Sequence, residues 1–183
     1  RCYAVKSTSV NAFTTQSGII YITTGLVAQL ETEAQLAFIL SHEIIHFEKN
    51  HNINAYVENR EIERGKGVYR NQSFDDKVIS KSKYSKENEN EADLKGLERF
   101  LKTNYNTENL ERVFDILQYS YLPFEDKEFK RTFFETDFYQ FPENYFSGDV
   151  NPIKPPDDLD ETSTHPSIEK RRKQLKEQLA LST

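Results

Sequence analysis

Residue types that often decide function are scarce in this chain. Its 183 residues include four histidines, one cysteine and no methionine. The single cysteine, Cys2, excludes an internal disulfide and leaves the redox compartment open. No stretch reaches the ~18 apolar residues that a transmembrane helix needs, so we expect no membrane span in this chain. Because the chain starts at Arg1 and contains no methionine, we expect the native start to be missing, so that a signal or anchor segment could have been removed upstream. We expect the location to be extracytoplasmic, either periplasmic or membrane-associated through such a segment.

Charge and length narrow the classes of protein further. The formal net charge is −6, which argues against nucleic acid or an anionic membrane surface as the main partner. Apolar residues make up 36% of the chain and charged residues 30%, which still allows a real core. The length suits one domain over residues 1–183, and the oligomeric state stays open.

Two of the four histidines stand in the motif His42-Glu43-Ile44-Ile45-His46. Positions four apart on a helix share a face, because four steps of about 100° return nearly to the start. Both imidazoles can therefore hold one zinc ion. Zinc lowers the pKa of a bound water to about 7, and the adjacent glutamate can then take its proton. The motif is typical of zinc-dependent peptide hydrolases, but it also occurs by chance on ordinary amphipathic helices.

The surrounding sequence favours a helix for this motif. Thr32 and Gln35 form a capping-box pattern that starts a helix at Glu33. Residues 33–51 contain neither glycine nor proline, and their apolar positions recur at helical spacing. We expect this helix to be deeply buried and to continue to His51, with a possible extension through Arg60. Buried histidines and a buried glutamate need partners, which a metal would supply.

A third metal ligand is harder to find from the residues alone. On a continuing helix His51 would point away from the metal, so a structural role near the helix C-terminus is expected. The acidic run from Lys86 to Asp93 turns into an apolar helical pattern, with Glu89 and Asp93 on one face. One of them could bind zinc while the other orients a histidine. An acidic helix N-terminus would look the same, and the residues do not choose among Glu87, Glu89 and Glu91.

The rest of the chain divides into short strands, helices and irregular segments. Strands are predicted at Tyr3–Lys6, Ala12–Thr15 and Ile19–Thr23, and a strand bordering a cleft can pair with a substrate backbone. The predicted loops and helices follow: a short helix or turn at 25–31, a mobile loop at 63–84, helices at Glu87–Lys102, Thr107–Tyr119 and Ser167–Leu181, and an extended linker at 151–162. Residues 104–162 form an aromatic-rich irregular segment that either caps a cleft or simply packs. The basic cluster at 170–173 suggests a solvated face from which one arginine could reach a cleft.

Blocks along the chain resemble one peptidase family, which contains the CAAX prenyl endopeptidases, the HtpX-type heat-shock proteases and their soluble periplasmic and mitochondrial relatives. The first block runs from Asn11-Ala12-Phe13 to the Thr-x-Gly-Leu turn at 23–26, and the second is the 42–46 motif. The third, at 84–93, is similar to the family's Glu-x-x-Ala-Asp block. A weaker match is Thr164-His165-Pro166, with Arg171 six residues after the histidine. The polar stretch between His51 and Tyr84 departs from the membrane-bound relatives, in which it is apolar.

The resemblance implies a fold, a cofactor and a set of site residues. It implies an α+β, zincin-like (gluzincin) domain in which a small sheet packs on the active-site helix and on a second metal-ligand helix. It implies one zinc per chain, held by His42, His46 and Glu89, with Asp93 supporting a ligand. Glu43 and His165 would be catalytic. His165 would either stabilise an oxyanion or bind zinc in a resting state of the enzyme. The alternative is that His165 is a turn residue before Pro166 without a role at the site. The strand residues that would bind substrate are Asn11, Ala12 and Phe13.

These features favour a zinc-dependent endopeptidase of protein or peptide substrates. A competing hypothesis is a protease-like binding module, whose zinc is structural and which grips a partner protein. The intact Glu43 argues against that module, since a structural zinc site does not need this residue. Hydrolysis of a non-peptide amide would use the same site and is disfavoured only by the resemblance.

Overall fold

A computed structural model describes residues 1–120, 131–133, 135–143 and 167–182. Within these ranges the chain is an α+β protein, mostly helical with one small sheet, as the sequence predicts. The strands are β1 (Cys2–Val5), β2 (Ala12–Thr14) and β3 (Ile20–Thr23). The sheet has the order β1-β3-β2, with β1 parallel and β2 antiparallel to β3. β2 is therefore an edge strand of the described sheet.

Six α-helices follow or flank the sheet in the described residues. They are α1 (Thr24–Gln29), α2 (Glu33–Glu48), α3 (His51–Arg64), α4 (Phe74–Phe100), α5 (Val113–Gln118) and α6 (Ile168–Ser182). Short 3₁₀ turns lie at Gly67–Tyr69, Leu110–Arg112 and Arg131–Phe133. The final helix was expected within one residue of its observed bounds. The expected helix from Thr107 is a 3₁₀ turn followed by α5.

Helix α2 begins as predicted but ends earlier. The Thr32 hydroxyl accepts a hydrogen bond from the Gln35 N–H at 3.2 Å, and the Gln35 side chain accepts one from the Thr32 N–H at 3.4 Å. The capping box is thus confirmed. The prediction of one helix through His51 is wrong, because Asn50 adopts a left-handed conformation with φ 55°. Asparagine tolerates that conformation better than most residues, so the chain turns there and α3 starts in a new direction.

Residues 63–64 and 74–84 of the predicted mobile loop at 63–84 are helical, and only residues 65–73 lie between α3 and α4. Helix α4 starts at Phe74, and its 27 residues span about 40 Å. Its N-terminus is a second capping box, in which the Ser73 hydroxyl accepts from the Asp76 N–H at 3.1 Å and the Asp76 carboxylate accepts from the Ser73 N–H at 3.2 Å. The glycines at 65 and 67 end α3 and turn the chain before this cap, so they mark a corner between two helices.

The core lies between the sheet and helices α2, α4, α5 and α6. Its buried members are Ile20, Ile22, Leu26, Ala34, Phe38, Ile39, Leu97, Phe100, Leu110, Val113, Phe114 and Leu175. No helix in the described ranges is long and apolar enough to cross a membrane. About half of the aromatic-rich segment at 104–162, including the whole 151–162 linker, lies outside the described residues.

Helices α2 and α4 lie close together at Gly96. A Cβ atom built there would lie 3.0 Å from both the Cα and the backbone N of His42. Both contacts are to backbone atoms, which cannot rotate away as a side chain does. The absence of a side chain at Gly96 therefore sets the distance between the helix that carries the histidines and the helix that faces them.

We expect Gly96→Ala to destabilise the protein by about 1–3 kcal/mol, because the added methyl group pushes two packed backbones apart. Without that clash the change would stabilise an α-helix, since alanine is favoured over glycine by roughly 0.5–1 kcal/mol. The sign of the change in the free energy of unfolding, measured with urea, decides between the two. Glu98→Ala on the exposed side of the same helix is the control and should change stability little. A Gly96→Ala variant that is more stable than the parent would show that α2 and α4 leave room for a methyl group at position 96, which would contradict the close contact with His42.

Candidate metal centre

Three side chains from two helices converge between α2 and α4. The Nε2 atoms of His42 and His46 lie 2.9 Å apart. A carboxylate oxygen of Glu89 lies 3.7 Å from His42 Nε2, and the other oxygen lies 3.5 Å from His46 Nε2. Within the described ranges these three residues form the one group of His, Cys, Asp or Glu donors that could hold a metal ion. The two histidines share a face of α2 because they are one turn apart.

Of the three glutamates that the residues alone left open, only Glu89 belongs to this group. Glu87 is exposed on α4. Glu91 instead accepts a hydrogen bond at 3.0 Å from a ring nitrogen of His51. Glu89 is the residue that the family resemblance selected, and its role as a ligand stays a prediction.

His42 is supported from behind by Asp93. Its Nδ1 lies 2.9 Å from Asp93 Oδ1, so the proton on Nδ1 is donated to the carboxylate and Nε2 is left for a metal. Burial lowers the pKa of His42, but the hydrogen bond to Asp93 and the charges of Asp93 and Glu89 outweigh it and raise the pKa above the usual value. The ring is thus fixed in one orientation and one tautomer.

Asp93 is itself held by Arg171 of α6. The guanidinium donates two hydrogen bonds to the carboxylate, from Nε at 2.6 Å and from Nη2 at 2.7 Å. Burial would raise the pKa of Asp93, but Arg171 and His42 outweigh it and hold that pKa at about 2. Arg171 also lies 3.4 Å from Glu89 and stacks over the ring of Phe114 at 5.3 Å. The buried negative charge at Asp93 is therefore compensated by an equally buried cation.

Arg171 entered the family resemblance only by its spacing after His165, with no role at the site assigned to it. It was grouped with its basic neighbours as a solvated face, from which one arginine could reach a cleft. The structure separates the group: Arg171 is 7% exposed, whereas Arg172 pairs with Asp115 near the surface. A helical spacing of four to the buried Leu175 was the available signal, because it puts Arg171 on the inner stripe of α6.

Glu43 lies buried beside the three donors, with 8% of its surface exposed. Burial raises the pKa of its carboxyl to about 7, while the charge of His42 and a hydrogen bond from the backbone N–H of Thr14 oppose the rise. Thr14 belongs to β2, so the edge strand contacts this glutamate directly. A carboxyl with such a pKa can both accept and donate a proton near neutral pH.

His51 does not lie where it was expected. As the first residue of α3 it is buried, and its Nδ1 lies 3.0 Å from Nδ1 of His46. The expectation that it points away from the motif assumed a continuous helix, and the turn at Asn50 removes that assumption. Burial, with the neighbouring charge of His42, lowers the pKa of His46 to about 4, so His46 is neutral at pH 7 and able to bind a metal.

The centre opens into a cleft beside the edge strand. A cavity of about 750 Å³ is lined on one side by Asn11, Ala12 and Phe13 and on the other by the histidine helix and Arg171. The three strand residues expected to bind substrate thus face the same cavity as the candidate donors. His165, which was expected to be catalytic together with Glu43, lies outside the described residues.

We expect Arg171→Met to cost about 3–5 kcal/mol of stability, because Asp93 is then left as a buried charge without its cation. The free energy of unfolding of the metal-free protein, from urea titration, measures this. Arg172→Met is the matched control: its side chain is 30% exposed and pairs with Asp115, so its loss should cost about 1 kcal/mol or less. Equal losses in the two variants would contradict the buried pair.

The sequence was compared with protein families, curated proteins and solved structures. No curated protein and no solved structure matches it significantly. Peptidase family M48 matches residues 1–62 and 74–179. That match covers most of the chain and includes both helices of the candidate centre as well as α6. The chain therefore belongs to Peptidase family M48, a family of metallopeptidases.

Proposed function

We propose that this chain is a zinc-dependent endopeptidase with a zincin-like domain of the gluzincin type. The observation that carries the proposal is the convergence of two imidazole Nε2 atoms and the Glu89 carboxylate next to a buried glutamate. Family membership supports hydrolysis of peptide bonds in a protein or peptide substrate. The cleft lies beside an edge strand, which favours a substrate bound in an extended conformation along that strand.

The donor set fits zinc. Zinc takes nitrogen and oxygen ligands at roughly 2.0–2.1 Å in a tetrahedron, which puts ligand atoms roughly 3.3 Å apart. The three separations here are 2.9, 3.5 and 3.7 Å. Two histidines and one glutamate leave a tetrahedral position open, as in catalytic sites. His42, His46 and Glu89 would therefore hold one zinc ion per chain.

When bound, zinc would supply a Lewis acid for the scissile carbonyl and would lower the pKa of the attacking water. Glu43 is the proposed base, which takes a proton from that water and passes it to the leaving amine. Its burial and raised pKa, about 7, suit both transfers. The backbone of Thr14 in β2 opposes part of this rise in pKa, so the edge strand acts on the proposed base.

The pairing pattern of β2 selects the backbone groups that would bind substrate. In the antiparallel pair, Thr23 N–H donates to Asn11 at 3.0 Å and Thr15 N–H donates to Ile19 at 2.8 Å. Because the hydrogen-bonding direction alternates along an antiparallel strand, the N–H and C=O groups of Ala12 and Thr14 point away from β3. The C=O of Thr14 already accepts a hydrogen bond from Asn52 at 2.9 Å. We propose that Ala12 pairs with the substrate backbone, with Asn11 and Phe13 at its sides.

Three further parts of the proposal rest on the sequence. We propose His165 as a donor to the developing oxyanion, with zinc binding in a resting state as the alternative, on the strength of the Thr-His-Pro resemblance. We propose that residues 1–183 form one metallopeptidase domain. An extracytoplasmic location is proposed from the family resemblance.

The purified chain should contain about one zinc per molecule by metal analysis, because its donor set matches a catalytic site. His46→Ala should lose most of that zinc, since two ligands bind far more weakly than three. Cys2→Ser is the control: Cys2 is exposed, far from the donor set in sequence, and its replacement should leave the zinc content unchanged. Full zinc retention in folded His46→Ala would refute the site.

Glu43→Gln should keep zinc and lower the rate of peptide cleavage by about 10²–10⁴-fold, because the amide cannot accept the proton from water. Cleavage of casein or of a peptide library, with and without a chelator, measures this. Glu48→Gln on the exposed end of the same helix is the control and should cleave like the parent. If the parent binds zinc but cleaves nothing, the protease-like binding module becomes the better description.

A further inference from the structure

A buried histidine lies directly behind one of the proposed zinc ligands. His51 is 4% exposed, and its Nδ1 lies 3.0 Å from His46 Nδ1. Its other ring nitrogen, Nε2, lies 3.0 Å from a carboxylate oxygen of Glu91. Glu91 is itself contacted by Lys95 one turn further along α4. The contacts form a line from His46 through His51 to a carboxylate.

The direction of each hydrogen bond in this line follows from the position of the metal. His46 Nε2 faces His42 and Glu89, so a metal-binding His46 has no proton there and carries its proton on Nδ1. That proton must be donated to Nδ1 of His51, which therefore accepts. The proton of a neutral His51 is then on Nε2 and is donated to Glu91. Every ring nitrogen in the pair has one compatible role, with both rings neutral.

We propose that His51 is a positioning residue for His46, fixing its ring and its tautomer for metal binding, with Glu91 fixing His51 in turn. This inference rests on the metal site of the proposed function, but not on the cleavage of peptides. The two histidines are then supported in different ways: His42 donates to a charged carboxylate, and His46 donates to a neutral imidazole that a carboxylate orients. Such support is typically worth 10–100-fold in metal affinity.

The turn at Asn50 explains why a residue five positions after His46 can take this role. On one continuous helix, five steps of about 100° would separate the two side chains by about 140°. The left-handed Asn50 reverses the chain, so that the first residue of α3 returns towards the last turn of α2. Asn52, two residues after the turn, donates to the β2 carbonyl of Thr14 at 2.9 Å, which holds the start of α3 against the sheet.

The main test is the zinc dissociation constant, measured by chelator competition on variants shown to be folded by circular dichroism. His51→Phe retains a ring of similar size but neither nitrogen, and should weaken zinc binding by about 10–100-fold. His51→Asn places an amide oxygen near the position of Nδ1, so it should recover much of the lost affinity. Glu91→Ala should weaken zinc binding by about tenfold. Wild-type affinity in His51→Phe, or an Asn variant as weak as the Phe variant, would overturn the proposal.

Two controls separate positioning from general stability. Lys95→Ala removes the ion pair with Glu91 but leaves that carboxylate on His51, so its zinc affinity should stay within about twofold of the parent. Ile62→Ala, in the buried side of α3, should lower the stability by about 2–5 kcal/mol without changing the zinc affinity of the folded protein. If Ile62→Ala weakens zinc binding as much as His51→Phe does, His51 acts only by packing and the proposal is wrong.

Nitrogen NMR of the zinc-loaded, unsubstituted chain gives a readout that needs no variant to fold. We expect His51 to be neutral with its proton on Nε2, and a scalar coupling between Nδ1 of His46 and Nδ1 of His51 across their hydrogen bond. A His51 protonated on Nδ1, without that coupling, would overturn the proposal. A chain that binds no zinc would overturn the metal site and this proposal together. A chain that binds zinc with the predicted coupling but cleaves nothing would remove only the peptidase function.

Discussion

The carboxylate of Asp93 is the group on which the candidate centre depends, because it joins three helices through charge. It lies on α4, accepts from His42 on α2 and is clamped by Arg171 on α6. An isolated carboxylate at this depth would be neutralised or would destabilise the fold. Hydrogen bonds from His42 and Arg171 compensate the charge of Asp93, and they hold both of these side chains in one orientation. The orientation of the first motif histidine thus depends on a helix more than a hundred residues further along the chain.

The side chain of Asp93 can reach His42 because α2 and α4 lie close together near Gly96. An aspartate side chain is short, so it can meet a histidine on another helix only if the backbones nearly touch. Gly96 permits that approach one turn after Asp93, against the backbone of His42 itself. The same proximity brings Glu89, one turn before Asp93, to both imidazoles. One face of α4 thus carries Glu89 as the candidate ligand, Asp93 as the carboxylate that orients His42, and Gly96, which allows the two helices to pack closely.

The sequence allowed the parts of this arrangement that depend on local spacing to be predicted. The capping box at Thr32, the shared face of His42 and His46 and the shared face of Glu89 and Asp93 all follow from helical periodicity. The family resemblance was needed to choose Glu89 as the third ligand, since the local sequence favours Glu87 and Glu91 equally well. The turn at Asn50 was not predicted, because a left-handed asparagine inside a run of helix-forming residues leaves no strong sequence signal. Helical spacing from Leu175 indicates that Arg171 is on the buried face of α6, but its contact with Asp93 and the burial of His51 depend on tertiary contacts, which periodicity does not contain.

The order of the elements has a consequence for how the protein matures during synthesis. All three candidate donors belong to residues 33–100, so they leave the ribosome long before α6 does. Until α6 docks, Asp93 lacks the guanidinium of Arg171. A partly synthesised chain therefore holds the candidate donors without the contact that compensates the charge of Asp93. The support of His42 by Asp93 is complete only when the last described helix is in place.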